Sequence, residues 1–173
     1  AMYLGSCRYK LPTVSDDKDT YDLLFKKFND LEITDFFYIG GNDSMDTVAK
    51  LAAYGETINS PIHFIGIPKT IDNDLMGTDH TPGFGSAAKY VASSMLEIAY
   101  DSSIYKLDAI TIVEIMGRNA GWLTAASALA RTECNDAPDL IYLPEVVFDK
   151  ERFLKDIEEK FKEKSSIMIA VSE

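Results

Sequence analysis

The sequence predicts an α/β protein built from parallel sheets with helices on both faces. Three observations predict it. Short, almost wholly apolar runs of strand length alternate with longer stretches whose apolar residues recur at helical spacing. Polar loops, several of them glycine-rich, follow the C-terminal ends of those runs, where open α/β sheets bind their ligands. No internal repeat or low-complexity tract interrupts the alternation, which implies right-handed crossovers between parallel strands.

The elements follow in order. Residues 19–30 place Leu23, Leu24, Phe25 and Phe28 among charged residues and predict an amphipathic helix. Phe36, Phe37, Tyr38 and Ile39 form a run short and apolar enough for a strand buried on both faces. A helix is expected from about residue 45 to 54, with Asp43 or Ser44 as its N-cap. Residues 62–67 repeat the buried-strand signature, with His63 as a structural residue inside it. Thr81-Pro82-Gly83-Phe84-Gly85-Ser86 is a Gly/Pro turn and the expected hinge, dividing the chain into domains 1–82 and 83–173. A helix over 86–101 sets Ala88, Val91, Ala92, Met95 and Ala99 on one stripe. After it come a strand at 108–115, a small-residue helix ending near Arg131, a strand at 140–143, a helix at 150–164 and a strand at 167–171. By residue type alone, Met116 and Trp122 read as core.

Composition narrows the function. Across 173 residues, 46% are hydrophobic and 26% charged, as in an ordinary globular domain. The net charge of -11 argues against a nucleic-acid or anionic-membrane partner, while an anionic small substrate stays possible where local cations surround it. Cys7 and Cys134 have neither CxxC spacing nor a histidine at metal-ligand spacing, which fits a reducing cytoplasm. No window approaches the roughly 18 apolar residues of a membrane span, and no signal-type apolar core opens the chain.

Two loops carry the chemistry. Pro68-Lys69-Thr70-Ile71-Asp72-Asn73-Asp74 sets two carboxylates, an amide, a hydroxyl and a lysine side by side after a strand. In an extended backbone Asp72 and Asp74 point the same way and Asn73 the other, so one carboxylate can act as general base while the other orients a metal or the substrate. Gly40-Gly41-Asn42-Asp43-Ser44 joins a strand to a helix N-terminus, the local geometry of phosphate binding, though it is neither a Walker A nor a GxGxxG sequence. Both motifs also have plain readings, as an Asx-turn loop and as a βα turn. A third loop, Met116-Gly117-Arg118, puts an arginine beside a glycine at a strand end, where it can reach a phosphate bidentately or serve as a salt-bridged cap.

These three motifs in this order, with Leu4-Gly5-Ser6-Cys7-Arg8 before them and Glu173 after, resemble the 6-phosphofructokinase family over nearly the whole chain. The resemblance implies a Rossmann-like fold of two subdomains, both incomplete. Residues 1–82 would be part of the domain that binds the phosphoryl donor, and 83–173 part of the sugar-phosphate domain. The chain would be the central part of a family member, inactive alone and without the N-terminal glycine-rich segment. Asp72 would take the proton from the 1-hydroxyl of fructose 6-phosphate. Thr70 and Asp74 would help hold the transferred phosphoryl group and Mg2+, with Arg118 near that group. Met116 and Gly117 would line the sugar, and Glu173 would bind its hydroxyls. Arg8 would contact the donor, together with Gly41, Asn42, Asp43 and Ser44. A cytoplasmic homodimer or homotetramer is implied.

The donor follows from two positions. ATP-dependent members usually have glycine where this chain has Asp43 and Lys69, whereas diphosphate-dependent members typically carry Asp and Lys. Asp43 puts bulk and negative charge where a nucleotide's inner phosphate would pass, and Lys69 supplies a catalytic cation to the smaller donor. Inorganic diphosphate is therefore the expected donor, with ATP, or a non-catalytic sugar-phosphate-binding module, as the alternatives. Two positions depart from the family pattern. Asn42 replaces an Asp involved with Mg2+, so that metal binding shifts towards Asp43 or Asp74. Ala109 replaces an arginine that reaches the sugar phosphate across an interface, which leaves sedoheptulose 7-phosphate or a nucleoside open as acceptor.

Overall fold

The computed structural model describes residues 9–105 and 107–173, so Arg8 lies outside the described residues. The chain divides into two compact units, Ala1–Lys69 and Thr70–Glu173. Sequence reading divides it at 82/83; the stretch 70–82 instead groups with the second unit, because Ile71 packs against that unit's core.

In the first unit, α1 (Lys18–Asp30) starts at Asp17, whose carboxylate accepts the Thr20 N–H at 3.1 Å. It is followed by β1 (Asp35–Gly40), α2 (Asn42–Thr57) and β2 (His63–Pro68). The two strands pair in parallel from Asp35↔His63 to Gly40↔Pro68. Tyr21, Phe25 and Phe28 of α1, Leu51 and Tyr54 of α2, and Ile62 form the core, with Phe36 and Phe64 of the sheet packed against it. Phe25 is central: its ring lies 5.7 Å from Phe28, 5.3 Å from Tyr54 and 5.5 Å from Phe64.

One expectation is corrected here. β1 is buried on one face only. Phe37 and Ile39, with their partners Ile65 and Ile67, share the other face and are exposed, because both helices of this unit lie on the opposite side. His63 likewise stands outside the core, exposed at the start of β2 with Nδ1 3.1 Å from an Asp35 carboxylate oxygen.

The second unit holds α3 (Phe84–Ser103), β3 (Ala109–Ile115), α4 (Trp122–Ala126) running into a 3₁₀ turn (Ser127–Ala130), β4 (Leu140–Tyr142), α5 (Lys150–Phe161) and β5 (Ser166–Ser172). The sheet order is β3-β5-β4, all parallel. The central strand β5 alternates with period two. Met168 and Ala170 face Met95, Ala99, Leu123 and Ala130, while Ile167 and Ile169 face Ile157 of α5. Here helices do cover both faces. Asp139 fixes the register of β5 from outside the ladder: one carboxylate oxygen accepts the Met168 N–H at 2.7 Å and the other pairs with Lys164. Burial disfavours the Lys164 charge, yet its bonds to Asp139 and Asp136 outweigh that and hold its pKa above the usual lysine value.

Trp122 and Met116, read as core from residue type, are 55% and 58% exposed. Met116 directly follows β3 and Trp122 opens α4, so both stand at the rim beyond a strand end rather than within a packed layer. Among the described residues no helix is long and apolar enough to cross a membrane.

Phe25→Ala removes the ring on which the first unit's aromatic cluster converges and should cost about 3–5 kcal/mol. Denaturant titration of the chain checks this: the midpoint for the first unit falls while the transition assigned to the second unit stays in place.

Candidate active site

In the first unit the polar residues gather at the C-terminal ends of β1 and β2. α2 begins earlier than its sequence suggests. Its N-cap is Gly41 in an extended conformation, the Met45 N–H bonds to the Gly41 carbonyl at 3.0 Å, and Asn42, Asp43 and Ser44 form the first turn. Neither Asp43 nor Ser44 is the N-cap, and the N-cap residue itself, a glycine, supplies no side-chain cap to the helix start at the rim. The turn is possible because Gly40 has no side chain: a Cβ there would lie 2.1 Å from the Ser44 hydroxyl. Lys69 follows β2 directly, and its N–H donates to the Gly40 carbonyl at 2.8 Å. Exposed Asp43 and exposed Lys69 therefore flank one turn.

In the second unit the stretch 70–83 is a latched loop rather than an extended strand. Asn73 is 6% exposed with φ 56°, the left-handed conformation that asparagine tolerates. Its Oδ1 accepts the Thr81 N–H at 2.8 Å, and its Nδ2 donates to the Asp79 carbonyl at 3.2 Å. The buried Thr81 hydroxyl donates to the Thr70 carbonyl at 2.6 Å, closing the loop. Asp72 and Asp74 thus flank a buried amide. The Asp72 N–H is held by the Thr70 hydroxyl at 3.3 Å, while Asp72 Oδ1 is shielded from solvent with no hydrogen-bond partner among the described residues. A carboxylate oxygen in that condition is an acceptor kept ready for an incoming proton donor.

Beyond β3, Gly117 takes φ 133°, and a Cβ there would approach the Ala120 carbonyl oxygen to 2.5 Å. Only glycine makes this turn without strain, and it aims Arg118 outward. An Arg118 Nη donates to a Glu173 carboxylate oxygen at 3.0 Å, so two residues singled out 55 positions apart form one ion pair. A groove of about 1040 Å³ continues along the ends of β4 and β5, with Tyr142, Arg152, Phe153, Ser172 and Glu173 among its walls. Burial and a hydrogen bond to Asp156 push the Tyr142 phenol up to about 12, so it stays neutral at physiological pH.

Of the residues singled out from sequence, Gly41, Asn42, Asp43, Ser44 and Lys69 gather on the first unit, and Thr70, Asp72 and Asp74 in the latched loop of the second. Met116, Gly117, Arg118 and Glu173 share that unit's sheet rim. Sequence reading missed the supports: Asn73 and Thr81 as the latch, and Glu145, whose carboxylate accepts the Gly121 N–H at 2.7 Å. The signal for the latch is an asparagine between two aspartates followed by Thr-Pro-Gly. Among the described residues no group of three or more His, Cys, Asp or Glu is placed to hold a metal ion.

A profile of the family described as Phosphofructokinase matches residues 1–173. The chain belongs to the phosphofructokinase family. It is 43% identical over 171 residues to the Pyrophosphate–fructose 6-phosphate 1-phosphotransferase of Methylococcus capsulatus, covering 98% of this chain and 41% of that protein. The protein of the same name from Rhodospirillum rubrum is 46% identical over 170 residues, again 98% of this chain and 40% of the relative. The crystal structure of the pyrophosphate-dependent phosphofructokinase from Nitrosospira multiformis superposes with a TM-score of 0.84 at 41% identity, covering 98% of this chain and 42% of that one. The chain therefore spans about two fifths of the length of these relatives.

Asn73→Ala should open the latch and cost about 1–3 kcal/mol, because the buried Thr81 donor loses its acceptor. Hydrogen exchange at the Thr81 amide reads it directly: exchange speeds up in Asn73→Ala while the amides of β5 keep their wild-type rates.

Proposed function

We propose that this chain forms part of a phosphotransferase that moves a phosphoryl group reversibly from inorganic diphosphate to the 1-hydroxyl of fructose 6-phosphate. The observation that carries the reading is the pair Asp43 and Lys69 flanking the Gly40–Gly41 turn at the open N-terminus of α2. Helix amides and a lysine attract a compact anion, while the carboxylate repels the additional phosphate and nucleoside of ATP. The names carried by the Methylococcus and Rhodospirillum relatives support the same donor.

Residues 1–69 with the loop to 82 would serve the donor, and 83–173 the sugar phosphate. Asp72 is the general base. Its shielded, unpartnered Oδ1 takes the proton of the 1-hydroxyl as the oxygen attacks phosphorus. Lys69 and Arg118 balance the charge that spreads over the transferring group, and Thr70 orients it. Glu173, Met116 and Gly117 hold the sugar, and Arg8 meets the donor. Little covalent chemistry is asked of the protein; positioning and cationic stabilisation carry the rate. The residues suit Mg2+ of the kind that arrives on phosphates, which needs only one or two protein oxygens, and Asn42 and Asp74 are the donors we assign to it. When bound it would offset the negative charge of the phosphate groups. The setting we assign is the cytoplasm, and the assembly a homodimer or homotetramer.

The enzyme that contains this chain should turn over fructose 6-phosphate and Mg2+ with diphosphate and hardly with ATP. Turnover with ATP alone would overturn the donor assignment. Replacing Asp43 and Lys69 together by glycine should raise ATP use and lower diphosphate use; unchanged donor preference would show that these residues are not the gate. Asp72→Asn should lower kcat by about 10²–10⁴-fold with little change in KM for either substrate, as loss of a general base does.

A further inference from the structure

Behind the Arg118–Glu173 ion pair lies a part-buried chain of hydroxyls that the mechanism above does not use. The Gly117 carbonyl oxygen can only accept, so the Ser172 hydroxyl, 2.7 Å away, must donate to it. Having spent its one proton there, Ser172 accepts from the Thr124 hydroxyl at 3.2 Å. Thr124 is 0% exposed on the first turn of α4, and its own carbonyl accepts the hydroxyl of Ser127, also 0% exposed, at 2.5 Å. The chain Thr124→Ser172→Gly117 is thus polarised in one direction, with every proton assigned.

Its end point is the peptide that precedes Arg118. That peptide follows a glycine at φ 133°, a conformation with few competing constraints of its own. Its middle member, Ser172, lies one residue before Glu173, whose N–H donates to the Ile115 carbonyl at 3.0 Å. Ser172 therefore connects the backbone that aims Arg118 with the backbone that carries Glu173. We propose that Ser172 is a positioning residue for phosphoryl transfer, holding the Arg118 guanidinium in register with Glu173, and that Thr124 orients it by donating into its hydroxyl.

This inference rests on the assignment of Arg118 to the transferring group, and two readouts separate it from that assignment. In the enzyme that contains this chain, Ser172→Ala should lower kcat by about 10²-fold, the scale of an ångström-sized misplacement, with KM for diphosphate within threefold of wild type. Thr124→Val, which keeps shape and removes the donor, should fall in the same direction. Ser172→Thr, which keeps the hydroxyl, should recover most of the loss. The second readout needs no turnover: in the chain itself, the Arg118 side-chain NMR signals should shift and broaden in Ser172→Ala and return in Ser172→Thr. Arginine signals unchanged in Ser172→Ala, or as disturbed in Ser172→Thr, would overturn the positioning role whatever the reaction proves to be. Disturbed signals with kcat intact would uphold the positioning and remove Arg118 from the transfer step.

Discussion

The second unit depends on one strand. β5 is hydrogen-bonded on both edges, to β3 and β4, and buried on both faces, under α3 and α4 on one side and α5 on the other. A strand held in four directions has no freedom of register, because slipping by one residue would exchange Met168 and Ala170 for Ile167 and Ile169 in two differently shaped cores. Its ends inherit that rigidity. At one end Asp139 grips the Met168 N–H, and at the other Ser172 and Glu173 emerge at a fixed height beside Gly117. The residues at this unit's sheet rim are placed first by the packing of β5 between its two cores, and only then by their own local contacts.

The loop 70–83 solves a different problem. It holds two half-buried carboxylates on an ordered backbone, and it does so by burying the polar residue between them. Asn73 supplies both an acceptor and a donor to backbone, so a tight, left-handed turn is satisfied from within. Asp72 is left as the group whose hydrogen-bonding capacity is unspent. Ordering the backbone while withholding a partner from one carboxylate oxygen would keep the general base proposed at Asp72 available without a mobile loop.

Most of the fold was legible in the sequence because the strand runs and helical stripes are long and the loops between them carry strong turn residues. Every strand and helix expected from pattern is present within a few residues of its expected bounds. What pattern could not show was which faces are covered. Phe37 and Ile39 look as buried as Ile167 and Ile169, since hydrophobicity reports the tendency to be covered, not the presence of a cover. The same limit misplaced Trp122 and Met116. Motif reasoning found Arg118 and Glu173 as separate contacts; that they pair, and that Ser172 and Thr124 stand behind them, depends on long-range geometry in which residues 55 apart become neighbours. The N-cap of α2 is hidden from sequence because Gly41 carries no side-chain signal, although its extended conformation is what starts the helix there.

On the reading proposed for the first unit, charge would decide between donors where shape alone would not. A helix N-terminus and a lysine attract any phosphate chain, so they favour ATP and diphosphate alike. Discrimination needs a term that acts on one of them. A carboxylate about 4 Å from a phosphate oxygen costs about 4 kcal/mol per unit charge at the effective dielectric of a protein surface, close to a thousandfold in binding. On that reading Asp43, in the first turn of α2 and beside the turn that Lys69 closes, would apply that repulsion to whatever extends past the two phosphates nearest the lysine. Diphosphate has nothing there to repel. The specificity argued for this chain is therefore a penalty on the longer donor and not a better fit to the shorter one, which is why Asp43 and Lys69 have to be read as a pair.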